Sequence, residues 1–318
     1  MNKVKKFIGG NSALFAFAVL FILAVVLKGS TFLQLNNIVN ILRNNSIIGI
    51  AALGMTLIII TGGIDLSVGS QLVITGLVVI TTINATGSIA LGVIAGVVTG
   101  AILGGLTGLL VSKCKIPAFI VTLGTMTIYR SMSQYLLNGG GVMIKGPRAD
   151  AYITISNANL FPRFPLPIFY WMLLAVIIYL FTKHTPTGRY IYAVGSNEKA
   201  TLLSSINVNR VKIITYLISG VLVALAAVVE TSRLGSINSA SSGSSYEMDA
   251  IAAAVIGGTS MSGGRGKIFG TVMGTLTLGI INNMMNLLGV PPFLVGAVKG
   301  SIIIGAVLLQ KRLNESAA

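Results

Sequence analysis

Ten apolar runs follow one another along the chain, and most of its charged residues lie between them. The runs cover residues 13–27, 47–61, 64–84, 88–111, 117–137, 168–182, 211–231, 248–262, 267–289 and 292–310. Most of them approach the ~20 residues that a helix needs to cross the hydrocarbon core of a bilayer. We therefore predict an all-α polytopic membrane protein with about ten transmembrane helices. The runs 47–61, 168–182 and 248–262 are short, so each is also open to being tilted, broken or re-entrant.

The composition excludes several other classes of protein. Charged residues make up 9 % of the chain and hydrophobic residues 54 %, whereas a soluble domain carries roughly 25 % charged residues. A soluble enzyme, a secreted disulfide scaffold and a disordered tail are thereby ruled out. The net charge of +15 does not indicate nucleic-acid binding, because the basic residues lie between apolar runs and do not form one basic face.

The distribution of Lys and Arg predicts the orientation in the membrane. With both termini in the cytoplasm, 14 of these residues fall in cytoplasmic segments and 6 in external ones, which is the bias that the positive-inside rule describes. The predicted organisation is a cytoplasmic N-terminus over 1–12, one transmembrane domain over 13–310 and a cytoplasmic C-terminus over 311–318. Within the domain, 138–167 is a long external loop and 183–210 is the sizeable cytoplasmic segment.

Glycines recur every four residues in three stretches of the chain. They are Gly92, Gly96, Gly100, Gly104 and Gly108, then Gly266, Gly270 and Gly274, and finally Gly296 and Gly300. Small residues at this spacing make one helix face smooth, and helix backbones can approach closely there. The pattern predicts a tightly packed, glycine-rich bundle and indicates nothing about a substrate.

The segment 183–210 is predicted to contain a short helix over 197–204. Ser196 or Asn197 can cap its N-terminus, and Glu198 lies in its first turn, where a negative charge suits the helix dipole. A short capped helix on the inner face, between two spans, is suited to docking a cytosolic partner. The spacing alone leaves a passive connector open as well.

Several stretches of the chain resemble one family, the ribose-type ABC sugar importer permeases. The stretch GRYIYAVGSNEKATLLSSINVNRVKI at 188–213 is similar to the cytoplasmic coupling segment of that family. TGGIDLSVGS at 61–70, DAIAAAVIGGTSMSGGRGKIFGTVMG at 249–274 and NNMMNLLGV at 282–290 match it too, so the resemblance covers nearly the whole chain. One departure is Ser204-Ser205-Ile206, where relatives usually carry Ser-Gly-Ile, and it leaves the end of the coupling helix open.

The resemblance implies the permease subunit of an ATP-driven importer for a monosaccharide, in the inner membrane of a prokaryotic-type cell. Ribose or a related pentose or hexose is the implied sugar, and a small polyol-like ligand such as autoinducer-2 is an alternative. The implied partners are a cytosolic ABC ATPase subunit, an extracytoplasmic sugar-binding protein, a second copy or paralogue of the permease, and membrane lipid. No catalytic residue, cofactor or metal is expected.

The resemblance also assigns roles within the coupling segment. The ATPase would contact the short helix at Asn197, Glu198 and Ala200. Gly188 and Gly195 are interpreted as the turns that present this helix.

The chain lacks the loop with which an ATPase would hold ATP. A Walker A loop needs Gly, four residues and then Gly-Lys-Ser/Thr, but the Gly266-Lys267 step is followed by Ile268 and preceded at the required position by Met261. The energy for transport must therefore come from another subunit or from an ion gradient.

Two functions from other classes compete with the importer interpretation. An ion-coupled secondary transporter would need acidic residues buried in the middle of its spans. The candidates fall at or near predicted span ends, and they are Asp65, Glu198, Glu230, Glu247 and Asp249. An intramembrane enzyme would need a His, an Asp and a nucleophile inside the bilayer, and the sequence offers no such set.

Polar side chains inside the predicted spans form a candidate sugar path. They are Gln71, Thr75, Arg130, Gln134, Asn282, Asn283, Asn286 and Lys299, with Tyr129 and Tyr135 as rings that could stack on a sugar. Asn and Gln side chains in membranes also form hydrogen bonds between helices. Asp65 is interpreted either as a helix cap or as a gate or subunit contact, because ionisable groups at membrane depth are often functional.

Overall fold

The computed structural model describes residues 12–291, 294–301 and 304–305, and most of these residues are helical. The helices are α1 (Ser12–Leu33), α2 (Leu35–Ile60), α3 (Val68–Thr86), α4 (Ile89–Ser112), α5 (Ala118–Leu136), α6 (Ala149–Asn157), α7 (Leu166–His184), α8 (Pro186–Ser196), α9 (Glu198–Leu203), α10 (Val208–Leu234), α11 (Tyr246–Ile256) and α12 (Ile268–Leu287). The strands are β1 (Gly141–Met143), β2 (Asn159–Phe161), β3 (Phe164–Pro165) and β4 (Ser236–Asn238). β1 pairs antiparallel with β4, and β2 pairs antiparallel with β3.

Seven of the described helices are long and apolar enough to cross a membrane. They are α1, α2, α3, α4, α7, α10 and α12. The prediction of a polytopic all-α membrane protein is thereby confirmed. Ten spanning helices are not: α5 is 19 residues long but less apolar than the seven, and the run 292–310 lies partly outside the described residues.

The apolar run 248–262 does not form a full-length span. It forms α11, which has 11 residues and is therefore about 16 Å long at the helical rise of 1.5 Å per residue. The hydrocarbon core is ~30 Å thick. The helix ends at Ile256 because Gly257 and Gly258 begin an irregular glycine-rich loop, and Gly258 has φ +88°.

The other two short runs belong to longer helices: 168–182 lies within α7, and 47–61 lies within α2 up to Ile60. The run 47–61 is the second half of α2, whose 26 residues begin at Leu35. Asparagines interrupt its first half in the sequence, yet they stay helical. Asn45, for example, is buried and donates to the carbonyl oxygen of Ile41 at 2.7 Å, so its amide is satisfied within the helix.

The glycine stripe of α4 brings it against α3 and α10. A β-carbon at Gly104 would overlap the carbonyl oxygen of Tyr216, and one at Gly100 would overlap that of Gly220. Backbones approach this closely only where both faces carry small residues. The close packing predicted for this stripe is therefore confirmed.

The two later glycine patterns differ from each other. Gly270 and Gly274 of α12 lie against the backbone of α11, at Gly257 and Ala253. Gly296 and Gly300 have no atom within 4 Å of their β-carbon positions in the described part of the chain. The third pattern is therefore no packing stripe among the residues described.

The connecting segments form two groups. In one group, here called the β side, β1 lies beside β4, and the Asn84 amide donates to the carbonyl oxygen of Met143 at 2.9 Å. In the other, here called the α8 side, the amide of Gly264 donates to the carbonyl oxygen of Ile60 at 2.9 Å, and the Tyr192 hydroxyl of α8 donates to that of Gly266 at 3.1 Å.

Candidate coupling site

The segment predicted to couple the chain to a partner begins with α8, a helix that the sequence did not lead us to expect. Pro186 occupies its first turn, where a missing N–H costs nothing. The Thr185 hydroxyl accepts the amide of Gly188 at 3.0 Å and caps the helix. Ile191 and Val194 are buried on one face, so that α8 lies along the bundle as an amphipathic helix.

Gly188 and Gly195 are not turns, as the sequence had suggested, but residues inside α8. A β-carbon at Gly188 would overlap the carbonyl oxygen of Phe181. A β-carbon at Gly195 would overlap the carbonyl oxygen of Ile60 and lie 2.6 Å from the backbone nitrogen of Gly264. Glycine is needed at both positions because other backbone lies against them.

Tyr192 adds a polar bond to the same contact. Its hydroxyl donates to the carbonyl oxygen of Gly266. Burial raises the pKa of Tyr192, and a hydrogen bond with Thr182 lowers it in part. The phenol therefore stays neutral and able to donate. Together with Gly195, it fixes α8 against the loops that follow α2 and α11.

The predicted short helix is present as α9, one residue shorter at each end than the predicted range 197–204. Asn197 is its N-cap, and its side-chain oxygen accepts the amide of Ala200 at 2.9 Å. The buried Thr201 donates its hydroxyl to the carbonyl oxygen of Asn197 at 2.8 Å. Glu198, in the first turn as predicted, forms an ion pair with Lys212 of α10 at 2.9 Å.

The end of α9 explains the departure seen at Ser204-Ser205-Ile206. The amide of Ile206 donates to the carbonyl oxygen of Thr201 at 3.4 Å, which is the bond of a Schellman C-cap. This cap needs a left-handed residue, and Ser205 takes that conformation with φ +62°. Glycine is the usual residue there because its left-handed form carries no steric cost.

The exposed side of α9 carries two leucines that the sequence analysis did not single out. Leu202 is 63 % exposed and Leu203 is 86 % exposed. Ala200 and Lys199 are exposed beside them. The signal that could have revealed them was a pair of adjacent leucines in a polar segment outside the apolar runs.

Asp65 lies in the loop between α2 and α3. Its carboxylate accepts both the amide of Ser67 at 2.8 Å and the hydroxyl of Ser67 at 2.6 Å. The N-cap residue of α3 is Ser67 itself, so the carboxylate stabilises the turn that leads into the helix. A gate or subunit contact at Asp65 stays a prediction.

The polar residues of the candidate sugar path belong to several separate contacts. Gln71 and Thr75 are fully buried on α3, where Gln71 donates weakly to the carbonyl oxygen of Gly100 at 3.4 Å and Thr75 donates to that of Gln71 at 2.9 Å. The Gln71 amide oxygen has no hydrogen-bond partner among the described residues.

Arg130 of α5 holds the loop that leads into α11. Its guanidinium donates to the carbonyl oxygens of Ser239 and Ser242 at 2.9 Å each, and to that of Gly243 at 3.3 Å. Three carbonyl acceptors leave this side chain committed to the loop in the structure. Beside it on α5, Tyr129 is buried while Gln134 and Tyr135 are exposed.

The three asparagines of α12 have different surroundings. Asn283 exchanges hydrogen bonds with Asn37 of α2, at 2.7 and 3.1 Å, and thus links two helices. Asn282 is half-buried, and its amide oxygen has no partner among the described residues. Asn286 is exposed. A role for these residues in a sugar path stays a prediction.

The acidic residues are more deeply placed than the sequence indicated. Glu230 is 2 % exposed inside α10 and not at a span end, because α10 continues to Leu234. Asp249 is buried in the first turn of α11 and paired with Lys299. Among the described residues, no three His, Cys, Asp or Glu side chains are placed to hold a metal ion.

Comparisons with known proteins place the chain in a family. Residues 37–307 match the family described as the branched-chain amino acid transport system / permease component. The chain is 46 % identical over 295 residues to the ribose import permease protein of Bacillus subtilis, covering 92 % of this chain and 91 % of the relative. It is 40 % identical over 304 residues to the ribose import permease protein of Escherichia coli K12, covering 93 % and 92 %.

A third relative is named for another sugar. The L-arabinose transport system permease protein of Escherichia coli K12 is 38 % identical over 300 residues, covering 94 % of this chain and 89 % of the relative. No solved structure matches the chain at a significant level. With seven apolar helices and relatives of this similarity along nearly its whole length, the chain belongs to this family of transport-system permease components and, within it, to the ribose-type ABC permeases.

Proposed function

We propose that the chain is the permease subunit of an ATP-driven importer that carries ribose across the inner membrane, and that a cytosolic ATPase drives it through α9. The names of the relatives support ribose, since the ribose import permeases cover more than nine-tenths of the chain at 40–46 % identity. The chain itself supplies the pathway, and the ATPase supplies the energy. The observation that carries the docking part is the exposed surface of α9.

That surface, here called the α9 surface, consists of Lys199, Ala200, Leu202 and Leu203. Two leucines exposed by 63 % and 86 % lie in a segment flanked by charged and polar residues, outside the apolar helices. Exposed apolar side chains ringed by polar ones are typical of a protein contact. Ala200, which is small and also exposed, leaves room for a partner to approach closely.

A rigid connection from α9 into the bundle supports a role in coupling. α9 is held to α10 by the ion pair of Glu198 with Lys212, and α8 is held by the contacts of Gly195 and Tyr192 with the loops after α2 and α11. A displacement of α9 is thereby transmitted to the ends of two buried helices. This is how a movement of the ATPase would change access to the pathway.

A second copy of the chain is proposed to cover α5. This helix is long enough to span, yet its exposed face carries Gly124, Thr127, Ser131 and Gln134, and nothing lies within 4 Å of the Gly124 β-carbon position. The Thr127 hydroxyl is satisfied within the helix, but lipid offers Gln134 no hydrogen-bond partner, whereas a second α5 would pack against the small residues of this face. The polar face would then border the space between the two copies.

The proposed topology has ten crossings with both termini in the cytoplasm. It adds to the seven apolar helices α5, a broken crossing built on α11, and a last helix within 292–310. The α8 side would then be cytoplasmic, facing the ATPase, and the β side external, facing a sugar-binding protein. The grouping of the loops supports this, because the segments predicted as cytoplasmic share one group and those predicted as external share the other.

The docking proposal is tested with Ala200→Arg and Leu203→Asp in the complete transporter, co-produced with its ATPase and sugar-binding protein. Both variants place a charge on the α9 surface, so we expect loss of ATPase association in a pull-down and loss of ribose uptake. Ala240→Arg is the matched control for association, because Ala240 is exposed in the β4–α11 loop. Normal association of both α9 variants would contradict docking at this surface.

The same preparation distinguishes the importer from an ion-coupled transporter. Vesicles of the importer should accumulate ribose only with the ATPase subunit and with ATP supplied on the cytoplasmic side. Uptake that persists without ATP and collapses when the proton or sodium gradient is removed would contradict the importer and favour the alternative.

A further inference from the structure

A cavity of about 560 Å³ opens on the α8 side, between the coupling segment and the bundle. Its walls are the loop 61–63, the end of α4, the turn that leads into α5, the junction of α8 with α9, and the start of α10. The α9 surface proposed to dock an ATPase consists of residues that do not line the cavity. The proposed function therefore assigns no role to the cavity.

The start of α5 gives the cavity a positive end. Ile116, Pro117 and Ala118 line it, and α5 begins at Ala118 with Pro117 as its N-cap and no capping side chain. The first amides of a helix have no acceptor within the helix, and the helix dipole is positive there. Uncapped helix N-termini of this length favour bound anions.

A buried hydroxyl points to a ligand independently of the helix end. Ser112 lines the same cavity and is only 4 % exposed. Its hydroxyl has no hydrogen-bond partner among the described residues. A buried polar atom without a partner is costly, and rotation of this hydroxyl toward the cavity would give it one when a ligand is bound.

The charges around the cavity also favour an anion. Lys115 and Lys212 line it, and Glu198 is the acidic residue on its wall among the described residues. The Glu198 carboxylate is already engaged by Lys212 at 2.9 Å, which leaves the Lys115 ammonium without a carboxylate partner in this cavity. The sum is one positive charge beside the uncapped helix.

We propose that this cavity binds a phosphate group, held by the Ser112 hydroxyl, the Lys115 ammonium and the first amides of α5. A phosphate offers several acceptor oxygens on one centre, and Ser112, Lys115 and the start of α5 all line the cavity. The volume exceeds what one phosphate ion fills, so the group can belong to a soluble phosphate ester or to a lipid headgroup. Binding does not depend on the proposed transport function.

The test uses the full-length chain purified in detergent, without an ATPase, and inorganic phosphate as the probe. Phosphate should raise the unfolding temperature more than chloride does at equal ionic strength, and titration should give a saturable affinity. Ser112→Ala and Lys115→Gln should each weaken the affinity about tenfold, since each removes a hydrogen bond to a charged group. Lys113→Gln is the matched control, because Lys113 is exposed beside the turn but does not line the cavity.

Further arms identify the source of the phosphate. Tighter binding of a pentose 5-phosphate than of inorganic phosphate indicates a soluble ester. Loss of phosphate binding in nanodiscs of phosphatidylglycerol, but not of phosphatidylcholine, indicates a lipid headgroup. The proposal is overturned when phosphate has no effect beyond that of chloride, or when Lys113→Gln weakens binding as much as Lys115→Gln does.

Discussion

Lys299 and Asp249 form a bidentate ion pair within the described part of the bundle, with Nζ 2.9 Å from one carboxylate oxygen and 3.0 Å from the other. Asp249 lies in the first turn of α11, and Lys299 lies in the helical stretch 294–301. The pair joins a short helix to a segment far away in sequence. It also neutralises the carboxylate of one of the five acidic residues that an ion-coupled transporter could use.

Breaking this pair should destabilise the protein strongly. Lys299→Met leaves the Asp249 carboxylate buried and unpaired, which we expect to lower the free energy of unfolding by ~3–5 kcal/mol. The double variant Lys299→Met/Asp249→Asn removes both charges and should recover most of that loss. Thermal unfolding in detergent measures both. A double variant as unstable as the single one would contradict a role for the pair in stability.

The α4 stripe offers a comparison between two adjacent glycines. Gly104→Ala puts a methyl group into the backbone of α10 at Tyr216 and should cost ~1–3 kcal/mol by overpacking. At Gly105 the nearest atom to an added β-carbon is a Leu217 methyl at 3.9 Å, so Gly105→Ala should be neutral or stabilise the helix by up to ~1 kcal/mol. Equal unfolding temperatures for the two variants would show that α4 does not pack on α10 as described.

Ser205→Gly should stabilise the end of α9. The left-handed conformation of Ser205 costs a non-glycine residue ~1–2 kcal/mol, and glycine removes that cost, although its extra freedom in the unfolded chain offsets part of the gain. Hydrogen exchange of the Ile206 amide, which closes the C-cap, should slow by several-fold. Ser205→Ala is the control, because it keeps the β-carbon and should leave the exchange rate near that of the native chain. Faster exchange in the glycine variant would contradict the cap.

The sequence predicted those features that depend on local chemistry. Apolar length identified most of the helices, and an asparagine followed by a glutamate identified α9 within one residue at each end. The sequence could not predict that Gly188 and Gly195 lie inside a helix. Glycine is used both in turns and where two backbones lie in close contact, and the sequence alone does not distinguish these two uses. The same limit holds for Arg130, whose three carbonyl partners come from residues more than a hundred positions later.

Arg130 should control the order of the loop before α11. Arg130→Gln removes the guanidinium that joins three carbonyl groups, so we expect faster hydrogen exchange over 239–243 and a loss of ~2 kcal/mol in stability. Arg163→Gln is the matched control, because it removes an exposed guanidinium in the turn between β2 and β3. Unchanged exchange in the loop of Arg130→Gln would show that other contacts hold it.

The proposed topology predicts which loops are accessible from each side of the membrane. In a Cys114→Ser background, a cysteine at Asn159 should react with an impermeant thiol reagent on spheroplasts, whereas one at Lys199 should react only after the membrane is broken. Both positions are exposed, so burial does not protect either. Labelling of Lys199→Cys in spheroplasts with an intact membrane, and none of Asn159→Cys, would reverse the orientation.

Gly195 is the position where docking and transport should separate. Gly195→Ala would drive a methyl group into the carbonyl oxygen of Ile60 and against the amide of Gly264, so α8 must move away from both loops. The α9 surface is untouched, and we therefore expect the ATPase to associate normally. Ribose uptake should fall because a movement of α9 no longer reaches α2 and α11, although overpacking at this contact costs the fold only ~1–3 kcal/mol.

The control for Gly195→Ala is Ser196→Ala, which changes the next, exposed residue without adding an atom near Ile60. It should associate and transport normally. In Gly195→Ala the ATPase should still hydrolyse ATP in the complex, at a rate that no longer rises when the sugar-loaded binding protein is added. If the binding protein still stimulates ATP hydrolysis in Gly195→Ala, or if uptake is normal, coupling does not pass through the contact of α8 with the loops after α2 and α11. Loss of ATPase association would instead place the defect on α9, since that helix follows α8 directly and would have moved with it.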